Sequence, residues 1–159
     1  MISEYDVFTS EMARWIQTEG MNGSIEPKDM RRIVSIGRFS PCLLQSIGCN
    51  DLEIVTTISI IEKMIFDHAI GIDFLSTLHT IICTPKQIFR SASRSDSVVV
   101  ITFENQRGNP IIIPIQLNKE QAVGKNRVHW ISSVYAKDNP NQLGVWEQKG
   151  LLLWDSNGS

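Results

Sequence analysis

The chain of 159 residues is 42% hydrophobic and 20% charged, a composition typical of a single globular domain. Its formal net charge of −2 argues against a general nucleic-acid binder. No apolar run approaches the roughly 20 residues that a membrane-spanning helix requires, so no membrane partner is expected. The N-terminal stretch MISEYDVFTSEM lacks the basic start and apolar middle of a signal peptide, so export would depend on a larger parent chain or a secretion machine.

The charges are distributed unevenly along the chain. Residues 1–85 contain six Lys or Arg against eleven Asp or Glu, whereas residues 86–138 contain eight basic residues against four acidic ones. The basic half is consistent with a substrate that carries phosphate groups.

The three cysteines, Cys42, Cys49 and Cys83, match no metal-ligand spacing such as C-x-x-C. We therefore predict buried free thiols, which a cytosolic working environment would keep reduced.

The N-terminal segment predicts a helix. Within residues 5–19, apolar side chains recur at the spacing of one helical stripe, and Thr9 or Ser10 followed by acidic residues is typical of an N-cap. Gly and Pro residues then mark a loop. We interpret residues 1–30 as a helical adapter segment.

Residues 31–159 predict an α+β domain in which N-terminal helices pack on a roughly four-stranded antiparallel sheet. Pro114 implies an edge strand or a bulge. The predicted strands, from alternating or continuous apolar runs, cover residues 31–40, 52–57, 97–104, 110–117, 127–138 and 151–154. The predicted helices cover residues 58–71, 74–82 and 141–149.

The stretch RVHWISSVYAKD (127–138) is the centre of the functional prediction. Because side chains alternate between the two faces of a strand, His129, Ile131, Ser133, Tyr135 and Lys137 would share one face. Two interpretations stay open. The row is either the solvated side of an antiparallel sheet or a reactive surface.

Further candidates lie outside this strand: Lys63, His68, Arg90 and Ser91. His68 has a second interpretation as a solvated or capping residue near a helix C-terminus. No P-loop, dinucleotide-binding glycine motif or clustered metal-ligand set is present in the sequence, so we predict no metal and no cofactor. Scattered acid, base and cationic side chains are compatible with metal-free cleavage of an RNA phosphodiester.

Four segments resemble a known family. These are VSIGRFSPCLLQSIGCNDLEIV (34–55), the Lys63 and His68 pair, PKQIFRSASRSDSVVV (85–100), and ISSVYAKDN (131–139) followed by GLLLW (150–154). In order and spacing they are similar to the C-terminal toxin domain of phage head-morphogenesis (MuF-type) proteins and polymorphic toxins. That family is assigned to the barnase/EndoU/colicin/RelE-like nuclease superfamily. The resemblance runs from about residue 33 to residue 159.

The resemblance implies a metal-independent ribonuclease toxin, with tRNA as the first candidate substrate. It would be delivered by a phage or a secretion system, act in the cytoplasm of a target bacterial cell, and be neutralised by a cognate immunity protein. The proposed catalytic residues are His68, Ser133, Tyr135 and Lys137. The proposed substrate-binding residues are Lys63, Arg90, Ser91 and His129, of which Arg90 and His129 come from the residue pattern alone.

Two rival functions belong to other classes. A non-catalytic interaction module derived from such a toxin domain would fit the overall acidic charge. An ADP-ribosyl transferase ranks last, because the sequence offers no evident set of aromatic, Arg and Glu residues to hold a nicotinamide cofactor.

Overall fold

A computed structural model describes residues 3–121 and 126–158 of an α+β protein. The helices are α1 (Glu4–Met21), α2 (Pro27–Met30), α3 (Pro41–Ile47), α4 (Ile58–Phe66), α5 (Ile72–Leu75), α6 (Leu78–Cys83) and α7 (Asn141–Gln148). The strands are β1 (Ile33–Gly37), β2 (Ile54–Thr57), β3 (Gln87–Arg90), β4 (Ser97–Gln106), β5 (Asn109–Glu120), β6 (Arg127–Ile131), β7 (Tyr135–Ala136) and β8 (Leu152–Asp155). Within the described residues, no helix combines the length and the apolarity needed to cross a membrane.

Helix α1 forms where the sequence predicts it but begins earlier. Its N-cap is Ser3, whose Oγ accepts a hydrogen bond from the backbone N–H of Asp6 at 3.0 Å. The predicted caps at Thr9 and Ser10 are therefore wrong, since both residues lie inside the helix. One face of α1 enters the core through Ala13 and Ile16, which are fully buried. An adapter role for residues 1–30 stays a prediction.

A buried carboxylate joins α1 to α6. Asp6 accepts hydrogen bonds from the backbone N–H of His79, at 3.0 Å, and from the Thr80 hydroxyl. These two donors belong to the first turn of α6, whose N–H groups have no partner inside the helix. Asp6 thus caps a helix that lies more than seventy residues away in sequence.

The described residues form one mixed sheet of eight strands, in the order β1-β2-β6-β5-β4-β3-β8, with β7 paired to β5. The predicted sheet of about four antiparallel strands is wrong in size and in direction, because β2 pairs with β6 in parallel. Parallel strands need a long crossover connection, here the helices and strands between residues 57 and 127. Pairing between such distant short segments is decided by tertiary packing.

The two faces of the sheet differ in what covers them. On one face the main apolar core joins the sheet to the helices, with residues such as Ile16, Ile61 and Ile113 in one cluster. On the other face α7 packs through Trp146 against Phe89, with ring centroids 5.6 Å apart. We call this second face, which carries Phe89, Ile112 and Trp146, the α7 face.

The stretch predicted as one strand over residues 127–138 is two short strands, β6 and β7, separated by residues 132–134. Pro114 of β5 lies opposite this gap, and its carbonyl accepts the Ser132 N–H at 3.1 Å. A strand residue presents its N–H and C=O to the same neighbour, and proline has no N–H to donate. The interruption between β6 and β7 therefore lies where the backbone of Pro114 has no N–H to donate to the neighbouring strand. Pro114 lies in a central strand, so of the two predicted alternatives, an edge strand or a bulge, the edge strand is wrong.

The three cysteines are free thiols at different depths. Cys49 and Cys83 are partly buried, and burial raises the pKa of both thiols. Cys42 is exposed at the start of α3, so the prediction of a buried thiol is wrong there.

Candidate functional site

The α7 face carries a cleft of about 460 Å³, which we call the main cleft. It lies between the β4–β5 pair, the loop before β4, the β7 segment and α7. Three of the candidate residues, Ser91, Tyr135 and Lys137, line it, although they come from separate parts of the sequence. Other polar lining residues are Arg94, Gln116, Ser132 and Gln142.

Ser91 shapes the loop that brings a cation to the main cleft. Its Oγ accepts hydrogen bonds from the backbone N–H groups of Ser93 and Arg94, each at 3.3 Å. This turn places Arg94 at the cleft, where its guanidinium pairs with Asp96 at 3.3 Å. Hydrogen bonding to Arg94 is the main cause that lowers the pKa of Asp96. Arg94 was not selected from the sequence, although it stands three residues after Ser91 in a polar run.

Arg90 lies elsewhere. Its guanidinium donates to the Ser95 carbonyl at 3.1 Å, and the side chain does not line the main cleft. The four residues that follow it, 91–94, do line the cleft, and Arg94 is the cation among them.

Tyr135 and Lys137 form the opposite wall. Burial, followed by the negative charge of Asp138, raises the pKa of the Tyr135 phenol above its usual value. A phenol is protonated at neutral pH even without this shift, so the hydroxyl is available as a hydrogen-bond donor. The Lys137 ammonium lies 5.3 Å from the centroid of the Trp146 ring. The wall thus combines a neutral phenol with a cation.

His68 reaches this wall from a neighbouring recess of about 370 Å³. Its ring lies 5.8 Å from the ring of Tyr135, centroid to centroid. The Gln106 side chain fixes the turn after α4 by donating to the carbonyls of His68 and Ala69, at 3.1 and 3.0 Å. Asp67, Arg107 and Asp138 also line the recess. His68 is therefore next to the main cleft, beyond Tyr135, in a recess that contains two carboxylates.

Two other predicted residues do not line these spaces. Lys63 is exposed on α4, outside both the main cleft and the recess. Ser133 is half-buried, and it is Ser132 that lines the main cleft. The predicted single row from His129 to Lys137 is wrong, because the interruption between β6 and β7 changes which side chains face the cleft.

His129 lies in the layer beneath the helices. It is fully buried, its ring packs against Phe39, and its strand neighbour Ile131 belongs to the main core. Nδ1 accepts the backbone N–H of Asn118 at 3.2 Å, which leaves Nε2 to donate to the Asn50 carbonyl at 2.8 Å. Both ring nitrogens are satisfied in the neutral tautomer. Here His129 joins three segments of backbone and does not reach the main cleft.

Protonation of His129 is expected to destabilise the fold. Burial lowers its pKa, so the fold favours the neutral ring. The resulting stability is present above the unfolded-state pKa of about 6.5 and declines as the pH falls below it. Urea unfolding between about pH 7.5 and 5.5 should show this decline in the free energy of unfolding. In His129→Ala the free energy of unfolding should be lower by about 1–3 kcal/mol at the higher pH, and it should depend less steeply on pH. An unchanged slope in the variant would contradict the prediction.

The family model of the phage MuF C-terminal domain matches residues 59–158. The chain belongs to this family. The match covers most of the chain, from α4 to the C-terminal strand, and is shorter than the resemblance from residue 33 found in the sequence. Comparison with curated proteins and with solved structures finds no match.

Every candidate site residue of this MuF C-terminal domain lies inside the matched segment, since they extend from Lys63 to Lys137. Helix α1 and its cap on α6 join residues outside the match to residues inside it. Among residues 3–121 and 126–158, no three His, Cys, Asp or Glu side chains form a group suited to a metal ion. The prediction that no metal is needed stays a prediction.

Proposed function

We propose that this MuF C-terminal domain cleaves RNA by metal-independent transphosphorylation, with tRNA as the first candidate substrate. The observation that supports this most is the meeting of Ser91, Tyr135 and Lys137 in one cleft, with His68 in ring contact with Tyr135. The sequence separates these residues, and the fold brings them together. We also propose that the sheet and its cleft are a variant of the barnase/EndoU/colicin/RelE-like arrangement.

The proposed reaction needs two proton transfers and a stabilised phosphate. The ribose 2′-hydroxyl attacks the adjacent phosphorus while a base takes its proton, and the 5′-oxygen leaves as an acid protonates it. His68 is assigned one of these transfers, because imidazole exchanges protons near neutral pH. Tyr135, whose phenol is protonated at neutral pH as in any tyrosine, donates to a phosphate oxygen or orients the proton acceptor. Lys137 stabilises the additional negative charge of the transition state.

Arg94 is proposed as a second phosphate contact in place of Arg90. Its present partner is Asp96, and both side chains of this ion pair are about half exposed. Exposed ion pairs are typically worth less than about 1 kcal/mol, so a phosphate can replace the carboxylate at little cost. Ser91 then acts by holding the loop in the shape that presents Arg94.

The biological role we propose follows the family resemblance. The domain would be a toxin delivered by a phage or a secretion system into a target bacterial cell, where it degrades RNA in the cytoplasm. A cognate immunity protein would protect the producing cell.

The direct test is incubation of the purified chain with total cellular RNA in excess chelator, beside the Lys137→Ala variant. Discrete fragments that persist in chelator and disappear in the variant are expected. Intact RNA under all conditions would contradict the proposal, and fragments that require a divalent cation would contradict its metal independence.

A non-catalytic interaction module is the second candidate, and one observation favours it. His68 shares its recess with Asp67 and Asp138, whose two negative charges outnumber the single positive charge of Arg107 and oppose the approach of a phosphate. Normal growth of cells that express the folded chain, together with intact cellular RNA, would favour this alternative.

A further inference from the structure

A second cleft lies on the α7 face beside the main cleft. Its volume is about 690 Å³, and its lining includes Ile33 of β1, Thr57 of β2, Trp130 of β6 and Lys119 of β5. We call it the aromatic cleft, because the half-buried ring of Trp130 forms part of its wall. Ile33 and Thr57 are cross-strand partners, so the aromatic cleft extends to the β1 edge of the sheet.

The two clefts are adjacent, and one pair of neighbouring side chains lies between them. Gln116 lines the main cleft, Trp130 lines the aromatic cleft, and these residues are direct partners in the β5–β6 ladder. Side chains of direct partners lie on the same face of a sheet, with Cβ atoms about 5 Å apart. Ser132, two residues after Trp130, also lines the main cleft. A ligand that leaves the main cleft past Gln116 therefore meets Trp130.

The chemistry of the aromatic cleft suits an unpaired nucleotide. The Lys119 ammonium lies 4.3 Å from the centroid of the Trp130 ring, so an aromatic face and a cation are next to each other. Proteins that bind single strands combine these two elements, since bases stack on aromatic rings and cations contact the phosphates. Glu120 also lines the cleft, but its carboxylate is 3.8 Å from the Arg127 guanidinium, which opposes its charge.

We propose that a single-stranded RNA bound in the main cleft continues into the aromatic cleft, where an unpaired base stacks on Trp130. The base takes the position that Lys119 occupies over the ring, and the ammonium turns to a neighbouring phosphate. This inference rests on the proposed function and adds a substrate requirement. The domain binds an unpaired segment longer than the two nucleotides that flank the cleaved bond.

The test compares two 2′-O-methyl oligonucleotides, which lack the attacking hydroxyl and stay intact. One is a dinucleotide and the other is a single strand of about ten nucleotides. Trp130→Ala is expected to weaken binding of the longer strand roughly 10-fold and to leave dinucleotide binding unchanged. Trp130→Phe, which keeps an aromatic ring, should retain most of the affinity. Lys119→Gln should weaken binding of the longer strand and reduce the salt dependence of that binding.

The matched control is Trp15→Ala. Trp15 is also partly exposed, but it lies on α1 and lines neither cleft. The Trp15→Ala variant should bind both oligonucleotides with the affinity of the unmodified chain. Thermal unfolding of each variant separates lost contacts from lost structure.

The outcomes separate the two proposals. If the unmodified chain neither binds the oligonucleotides nor cleaves total RNA, the proposed function fails and this inference fails with it. If it cleaves RNA but Trp130→Ala binds the longer strand with full affinity, only the inference is overturned. The inference would also be overturned if Trp130→Ala bound the dinucleotide and the longer strand with equally reduced affinity and had a lower melting temperature. Trp130 would then act only through the fold.

Discussion

Replacing His68 with alanine is expected to lower the rate of RNA cleavage by about 10²- to 10⁴-fold, the usual contribution of a positioned acid or base. The fold should survive, because His68 is half-buried just after α4 and its backbone N–H and carbonyl make hydrogen bonds that alanine retains. Cleavage rates on a defined RNA, measured with circular dichroism of the same preparations, test both parts.

The control for His68→Ala is His79→Gln. His79 contacts Tyr5 and lies 3.1 Å from the Ser3 hydroxyl, in the helical layer away from both clefts. This variant should cleave RNA at the rate of the unmodified chain if it folds. Equal activity of the His68 and His79 variants would remove His68 from the mechanism while leaving the assignment of the main cleft open to the Lys137 test.

Gly37→Ala is expected to destabilise the protein by about 3 kcal/mol. Gly37 ends β1 with a φ of +128°, a conformation that residues with a Cβ rarely adopt. A Cβ built at this position would lie 2.2 Å from Cδ2 of His79, which is far inside van der Waals contact. Both backbone strain and overpacking therefore oppose the substitution. Urea unfolding of the purified variant gives the free energy of unfolding directly.

Two further variants separate the causes. Gly48 has a φ of +76°, but a Cβ there would meet no atom within 4 Å, so Gly48→Ala should cost only about 1 kcal/mol of backbone strain. Removing the His79 ring should relieve the clash, so Gly37→Ala should cost less in a His79→Ala background. If Gly37→Ala is no more harmful than Gly48→Ala, the contact with His79 contributes nothing.

Much of the secondary structure could be predicted because local patterns determine it. The amphipathic stripe of α1, the apolar runs of β4 and β5, and the α7–β8 ending all form close to the predicted residues. The helix expected over residues 74–82 is instead split into α5 and α6, and the α4 helix ends at Phe66. Short helices depend on packing and caps from elsewhere in the chain. Asp6, which caps α6 from α1, is such a contribution.

The candidate site was only partly predictable. Ser91, Tyr135 and Lys137 were selected from residue types and resemblance, and they do share a cleft. Arg94 and Ser132 were missed, because selecting them requires knowing how the loop after Ser91 turns and where β6 stops. His129 illustrates the opposite error. Its alternation with Ser133 suggested a common face, but the chain between them leaves the strand.

By itself the sequence determined the α+β class and the order of most elements. It also pointed to the MuF C-terminal family, and the match over residues 59–158 confirms that membership. These properties follow from periodicity, turn residues and short motifs, all of which act over a few residues. The tertiary structure alone decided the eight-stranded order, the parallel β2–β6 pair and the adjacency of the two clefts. The physical reason is that strand pairing joins segments far apart in sequence, and a change of register or an interruption at one proline moves a side chain to another surface.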